Sequence, residues 1–121
     1  MNMRNEIEKV LEAMREDYKR WSDRCFRSDG YTKSRKKIYD EMIEDYCNGL
    51  RVEENRRYWK ITSSKGSQTS VSGFIVKAGD KKFREGDMLK PAGWAAPARN
   101  FARGNVLDGT GLGNARWTGI G

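Results

Sequence analysis

The sequence predicts an α+β fold: an N-terminal antiparallel helical hairpin over residues 1–49, followed by a small antiparallel β-sheet part with glycine-rich loops over 50–121. Three observations predict it. Apolar residues recur at helical spacing up to Gly49, alternating and β-branched runs follow it, and eight of the 13 glycines fall from Gly86 onward. A chain of 121 residues is expected to form one domain with a modest core. Its 13 aromatics, four of them Trp, are more than a disordered chain holds.

The first helix is predicted over 3–26. Ile7, Val10, Leu11, Met14, Tyr18 and Trp21 share one face. Asn5 with Glu8 forms one possible N-terminal cap, and Asn2 competes with it. Glu6, Glu8 and Glu12 come early and Lys19, Arg20 and Arg24 late, as the helix dipole favours. The apolar face of this helix is the expected dimer surface, because a hairpin of two helices leaves apolar area to cover.

Ser28-Asp29-Gly30 breaks the chain, and a second helix is predicted over 33–48 with Thr32 as N-cap and Gly49 as its stop. Ile38, Met42, Ile43, Tyr46 and Cys47 form its inner face. Its charges run against the dipole: Lys33, Arg35, Lys36 and Lys37 open it, while Asp40, Glu41, Glu44 and Asp45 follow. A solvated charge run is the plainer reading of that basic turn, and a phosphate site at the free helix N–H groups is the other.

Strands are predicted at 57–62, 71–77, 81–84 and 88–90, with Ser63–Ser70 as a loop and turns at 78–80 and 85–87. Together 50–90 reads as an antiparallel meander, ended by Pro91. Residues 91–121 combine Gly and Pro with Trp94, Phe101 and Trp117, which predicts ordered loops packed on the sheet. Trp117–Ile120 is a candidate closing strand.

Charge and composition bound the function. Residues 1–50 hold 11 basic and 11 acidic side chains, while 51–121 hold 13 and 6, so the second half carries the whole net +7. An anionic partner is expected. With no His, a Ser-His-Asp triad, a Cys-His dyad and a His-bound metal are excluded. Cys25 and Cys47 are too few for a four-cysteine zinc site; they read as reduced thiols of an intracellular protein, with a disulfide between the two helix ends as the lesser alternative. No apolar run is long enough for a transmembrane helix, and no signal-peptide core stands at the N-terminus. Gly109-Thr-Gly111-Leu-Gly113 has the wrong spacing for a dinucleotide fingerprint and no helix after it, so it reads as a turn. No cofactor or metal is expected. A general base would have to be Asp, Glu, Lys or Tyr; Asp80, Glu85, Asp87 and Asp108 are the nearby candidates, but the first and third sit in turn sequences, where Asp serves conformation. Binding without turnover is the simpler reading.

The binding kit is predicted around Arg99 and Arg103. Pro97 suits the first position of a helical turn, which would put the two arginines on one face. Phe101, Asn100 and Asn105 lie beside them. Arginine grips phosphate with two parallel bonds, rings stack on bases, and amides reach base edges or ribose hydroxyls. The plain alternative makes Phe101 core and the arginines surface groups.

The segments Phe83-Arg-Glu-Gly-Asp-Met-Leu-Lys90 and Trp94-Ala-Ala-Pro-Ala-Arg-Asn-Phe-Ala-Arg-Gly-Asn105 carry a resemblance. They are similar to a pattern in the first family of Thoeris anti-defence proteins, which are small phage proteins. The overlap is clearest over about 80–108. The resemblance implies a sponge that binds cyclic ADP-ribose isomers made by TIR-domain immune enzymes and holds them uncleaved. It implies a homodimer or hexamer in the cytoplasm of the infected bacterial host, with cyclic di- or trinucleotides at a second site in some members. It implies ligand contacts from Arg99 and Arg103, with Phe83 or Phe74 as the stacking ring. Asn105 stands where the family pattern has an acidic residue, and Asp108 is the substitute for that contact. Arg103→Ala is predicted to lose capture and stay folded. The rival function is a basic phage nucleic-acid-binding protein, supported by Arg56, Arg57, Tyr58 and Trp59. A small nucleotide-directed enzyme with Asp87 or Asp108 as base is the third reading.

Overall fold

A computed structural model describes residues 3–29, 33–65 and 67–121, without the side chains of 26–29 and 65. Two helices precede a four-stranded antiparallel sheet, the α+β arrangement that the sequence predicts. Helix α1 spans Met3–Asp29 and α2 spans Lys33–Gly49. The sheet order is β1 (Leu50–Glu54), β2 (Tyr58–Lys65), β3 (Gln68–Val76) and β4 (Met88–Leu89). A two-stranded ribbon, β5 (Ala115–Arg116) with β6 (Gly119–Ile120), closes the described chain. Among the described residues no helix is long and apolar enough to cross a membrane.

The predicted stripe of α1 is the centre of the larger core. Ile7, Val10, Leu11, Met14 and Tyr18 are buried together with Leu50, Ile61, Ile75, Met88 and Ile120. That overturns the expectation of a dimer surface here: the sheet and the C-terminal ribbon already cover this face. Aromatic rings fill the end of the hairpin. Tyr18 stacks on Tyr46 at 4.4 Å, and Trp117 meets Tyr18 edge-on at 5.2 Å. Burial pushes both tyrosine hydroxyls above their usual pKa. Asp17 accepts a bond from the backbone N–H of Trp117 at 3.1 Å, tying α1 to the ribbon. Cys25 and Cys47 are free thiols, both half-buried.

Several boundaries move, each for a physical reason. Helix α1 begins at Met3, so Asn5 lies inside the helix and does not cap it. Asn2, Gly30 and Thr32 lie outside the described residues. Gly49 ends α2 by proximity rather than by a left-handed turn: a Cβ there would meet the Ser64 carbonyl oxygen at 2.1 Å. Strand β1 is not singled out by the sequence, because only Leu50 of its five residues is buried. The predicted loop at 63–70 is instead the far arm of the β2–β3 hairpin, paired Ser63 to Ser70, Ser64 to Thr69 and Lys65 to Gln68. Backbone bonds hold that arm, with Ser64 and Thr69 hydroxyls 2.9 Å apart, so it shows no apolar alternation.

The predicted strand at 81–84 is a turn. Asp80 Oδ1 accepts from the backbone N–H groups of Lys82 and Phe83, both at 2.9 Å, and Asp87 Oδ2 accepts from Arg84 N at 2.9 Å. The predicted helical turn through Arg99 and Arg103 is absent. Residues 98–106 run back along 86–90, with Ala98 N to Lys90 O at 2.7 Å, Arg103 N to Met88 O at 2.7 Å and Val106 N to Gly86 O at 2.9 Å. Pro97 faces Pro91 across an antiparallel bridge. These three backbone donors serve the sheet edge and are not free to build a helical turn.

Candidate anion-binding cleft

The turn Lys77–Lys81 lies against the start of β2 and the returning segment at Arg99. Between them opens a cleft of about 540 Å³, lined by Arg56, Arg57, Lys77, Lys81 and Arg99 around Asp80. Five cations thus surround one carboxylate. That carboxylate is nearly all covered, 4% exposed, and fully engaged. Arg99 grips it with two bonds, Nη1 to Oδ2 at 3.0 Å and Nη2 to Oδ1 at 2.8 Å. The Arg99 bonds, then the Phe83 and Lys82 N–H groups, hold the Asp80 carboxyl well below the usual carboxylate range. The same pair raises the pKa of Arg99.

The remaining cations differ in commitment. Arg57 reaches Asp80 only at 3.8 Å, and Lys77 pairs with Glu54 at 2.8 Å. Arg56 and Lys81 have no carboxylate partner among the described residues. Positive charge therefore exceeds negative charge at the mouth of the cleft.

The predicted site residues do not gather at one place. Arg99 lines the cleft and also donates to the Tyr58 hydroxyl at 2.5 Å, while its carbonyl accepts from Lys82 Nζ. Arg103 lies outside that lining. Its guanidinium stands over the exposed Phe101 ring at 3.9 Å, and its buried Nε has no hydrogen-bond partner among the described residues. Phe83 packs beneath Arg99, with 4.9 Å between guanidinium and ring, and is itself buried. Phe74 is only 1% exposed, so it has no face to offer a ligand and is a core residue. Asn105 is also buried and saturated. It donates to Glu85 O and Asp87 Oδ1 and accepts from Leu107 N and Asp108 N, which makes it the pin of its loop. Asp108 is tied to Arg84 at 2.5 Å. Asn100 is exposed and caps Phe101 N at 3.0 Å.

Sequence reasoning passed over Arg56 and Arg57 as site residues and missed Lys77 and Lys81 altogether. The signal was the basic density on both sides of Ala78-Gly79-Asp80, which only the β2–β3 pairing brings together. Two exposed aromatics each carry a cation: Lys60 lies 3.5 Å over Trp94, and Arg103 lies 3.9 Å over Phe101. A second cavity of about 590 Å³ lies between the hairpin arm and α2, lined by Tyr46, Ser70, Ser72 and Trp117 among others.

A model described as a family of unknown function (DUF7717) matches residues 1–120. No curated protein and no solved structure matches the chain.

Proposed function

We propose, for a chain that belongs to the DUF7717 family and takes no assigned activity from it, that it captures a small phosphorylated, nucleotide-like ligand and holds it without changing it. The observation that carries this reading is the cleft of Arg56, Arg57, Lys77, Lys81 and Arg99, whose one acidic residue is already neutralised from within. A pyrophosphate brings the negative charge that such a lining lacks, and guanidinium groups bind it directionally. Asp80 then acts as a fastener that fixes Arg99 before the ligand arrives, which lowers the ordering cost of binding.

The ligand to test first is a cyclic ADP-ribose isomer, because segments 83–90 and 94–105 resemble the first Thoeris anti-defence family. In that reading the protein is a phage sponge for the signal of TIR-domain enzymes, working in the cytoplasm of the infected host. Purified protein is mixed with the isomer, separated from it, and then heat-denatured. Depletion followed by release of intact ligand is the expected result. Arg56→Glu with Lys81→Glu is expected to weaken capture by about tenfold or more, the equivalent of losing one charge-assisted bond. No depletion at all, or a released product of changed mass, overturns the proposal. Arg103→Ala belongs in the same assay: lost capture adds the Arg103–Phe101 pair to the site, and unchanged capture confines it to the cleft.

A second reading, single-stranded nucleic-acid binding, is favoured by one specific observation. Trp94 and Phe101 are each more than half exposed and stand beside cations, the pairing that stacks bases and holds their phosphates. Salt-sensitive retention of an oligonucleotide without capture of the isomer would select it.

A further inference from the structure

The cavity of about 590 Å³ between α2 and the β2–β3 hairpin has a different chemistry from the cleft. Six of its thirteen described lining residues are Ser or Thr, and none is Lys or Arg. The one formal charge among them is the carboxylate of Asp45. That side chain is exposed and forms no ion pair or side-chain hydrogen bond with a described residue.

Two devices of the fold shape this cavity. Trp117 stands at the tip of the ribbon, where Arg116 pairs with Gly119. Its N–H donates to Asp17 Oδ2 at 3.1 Å, its carbonyl accepts from the Tyr46 hydroxyl at 3.2 Å, and its ring packs against Tyr18 and Trp21. Trp117 is thus fixed, yet it stays half-buried and lines the cavity. The second device is a bulge. Gly73 faces Ile61 and Val71 faces Thr62, so Ser72 between them has no partner across the β2–β3 ladder. A bulge re-aims its extra side chain, and bulges recur beside functional sites. Ser72 is 4% exposed and lines the cavity, and its hydroxyl bonds to no described residue. A buried hydroxyl left unbonded costs free energy that a bond to a ligand recovers. The side-chain hydroxyls of Ser63 and Thr118, also in the lining, have no described partner either.

These groups select a chemical class. Ser and Thr hydroxyls both donate and accept, an ionised Asp only accepts, and aromatic rings offer apolar contact. The matching molecule has a rim of hydroxyls, an apolar face and no negative charge, which describes a sugar ring. A phosphate meets no cation among the described lining residues, and the Asp45 carboxylate repels it. We propose that this cavity is a second ligand site, taking a neutral pyranose with its C–H face on Trp117 and its hydroxyls bonded to Asp45 and Ser72. A few convergent polar groups beside an aromatic wall are the usual make-up of a small-molecule site. This site shares no lining residue with the anion-binding cleft, and either reading can fail without the other.

Saturation-transfer NMR with the methyl pyranosides of glucose, galactose, mannose and N-acetylglucosamine tests it. Transfer to the ring C–H protons of at least one of them is expected, and no transfer to any overturns the proposal. Titration calorimetry with the pyranoside that binds then locates the site. Asp45→Asn is expected to weaken binding by about tenfold, the loss of one bond to a charged group, and Ser72→Ala by about fivefold, the loss of a neutral one. Asp45 is exposed, so its variant should keep the circular dichroism of wild type; should Ser72→Ala unfold, Asp45→Asn decides alone. Unchanged affinity in Asp45→Asn overturns the assignment to this cavity. The charge argument is tested in the background of Arg56→Glu with Lys81→Glu, which removes phosphate binding at the cleft. There the neutral pyranoside is expected to bind more tightly than its 6-phosphate. A 6-phosphate that binds that double variant as well as the neutral sugar, or better, overturns the ligand class.

Discussion

Asp80 accepts four hydrogen bonds, as many as a carboxylate has lone-pair sites, and nearly all of its surface is covered. Two of those bonds shape the turn into the cleft and two orient Arg99. Removing the carboxylate in Asp80→Ala is expected to cost about 2 kcal/mol of stability, the usual loss for bonds to a charged group. The pH dependence has a definite sign. The folded carboxyl titrates below its ordinary unfolded value of about 3.9, so its contribution is complete above that pH. It is lost as pH falls below that value toward the lower folded pKa. Thermal melts between pH 2 and 6 should therefore show a steeper acid loss in wild type than in Asp80→Asn. Equal slopes for the two proteins would remove Asp80 from this role. At this scale the sequence was half legible. Asp80 was recognisable as a turn residue, but its grip on Arg99, 19 positions away, needs the fold. Asn105 was misread for the same reason: an amide looks alike whether it pins a loop or reads a sugar.

Strand β3 carries a glycine where the sheet meets the C-terminal ribbon. A Cβ on Gly73 would lie 2.4 Å from Ile120 Cδ1, so the glycine makes room for that buried side chain. Gly73→Ala is expected to destabilise by about 1–3 kcal/mol, as overpacked sites do. Adding Ile120→Val removes the opposing methyl and should recover part of the loss, a coupling that denaturant titration of the four-protein cycle would measure. Additive effects would separate the two positions. The elements themselves were legible in proportion to their amphipathicity. Helix α1 declared itself because its buried stripe alternates cleanly with charge. Strand β1 and the Ser63–Ser70 arm did not, because backbone pairing holds them and few of their side chains enter the core. The returning segment 98–106 was the hardest to foresee, since its partners lie along the edge at 86–90 and its composition carries no period.

Across the whole molecule, the two chain regions are interlocked. Helix α1 supplies the floor of the core, and Trp117 and Ile120 supply part of its cover, linked by the Asp17–Trp117 bond over a separation of 100 residues. Deleting residues 115–121 is expected to expose Val10, Met14 and Tyr18 together. The shortened protein should lose cooperative unfolding and bind a hydrophobic dye, while full-length protein does neither. A truncated protein with an unchanged melting transition would show the ribbon to be dispensable. The net charge of +7 reads differently at this scale too. Part of it is gathered in the cleft, and α2 carries its own balanced pattern of both signs.

The ribbon has a consequence for how the protein is made. During translation α1 emerges well before the ribbon, so its apolar face is covered only in part, by α2 and the sheet, until residues 115–120 have cleared the ribosome. Until then the part of that face left open is shielded by transient contacts or by a chaperone. The docking of the ribbon is then late relative to α1, and a slow stretch of codons just ahead of residue 115 would prolong the time in which a nascent chain can meet its neighbours.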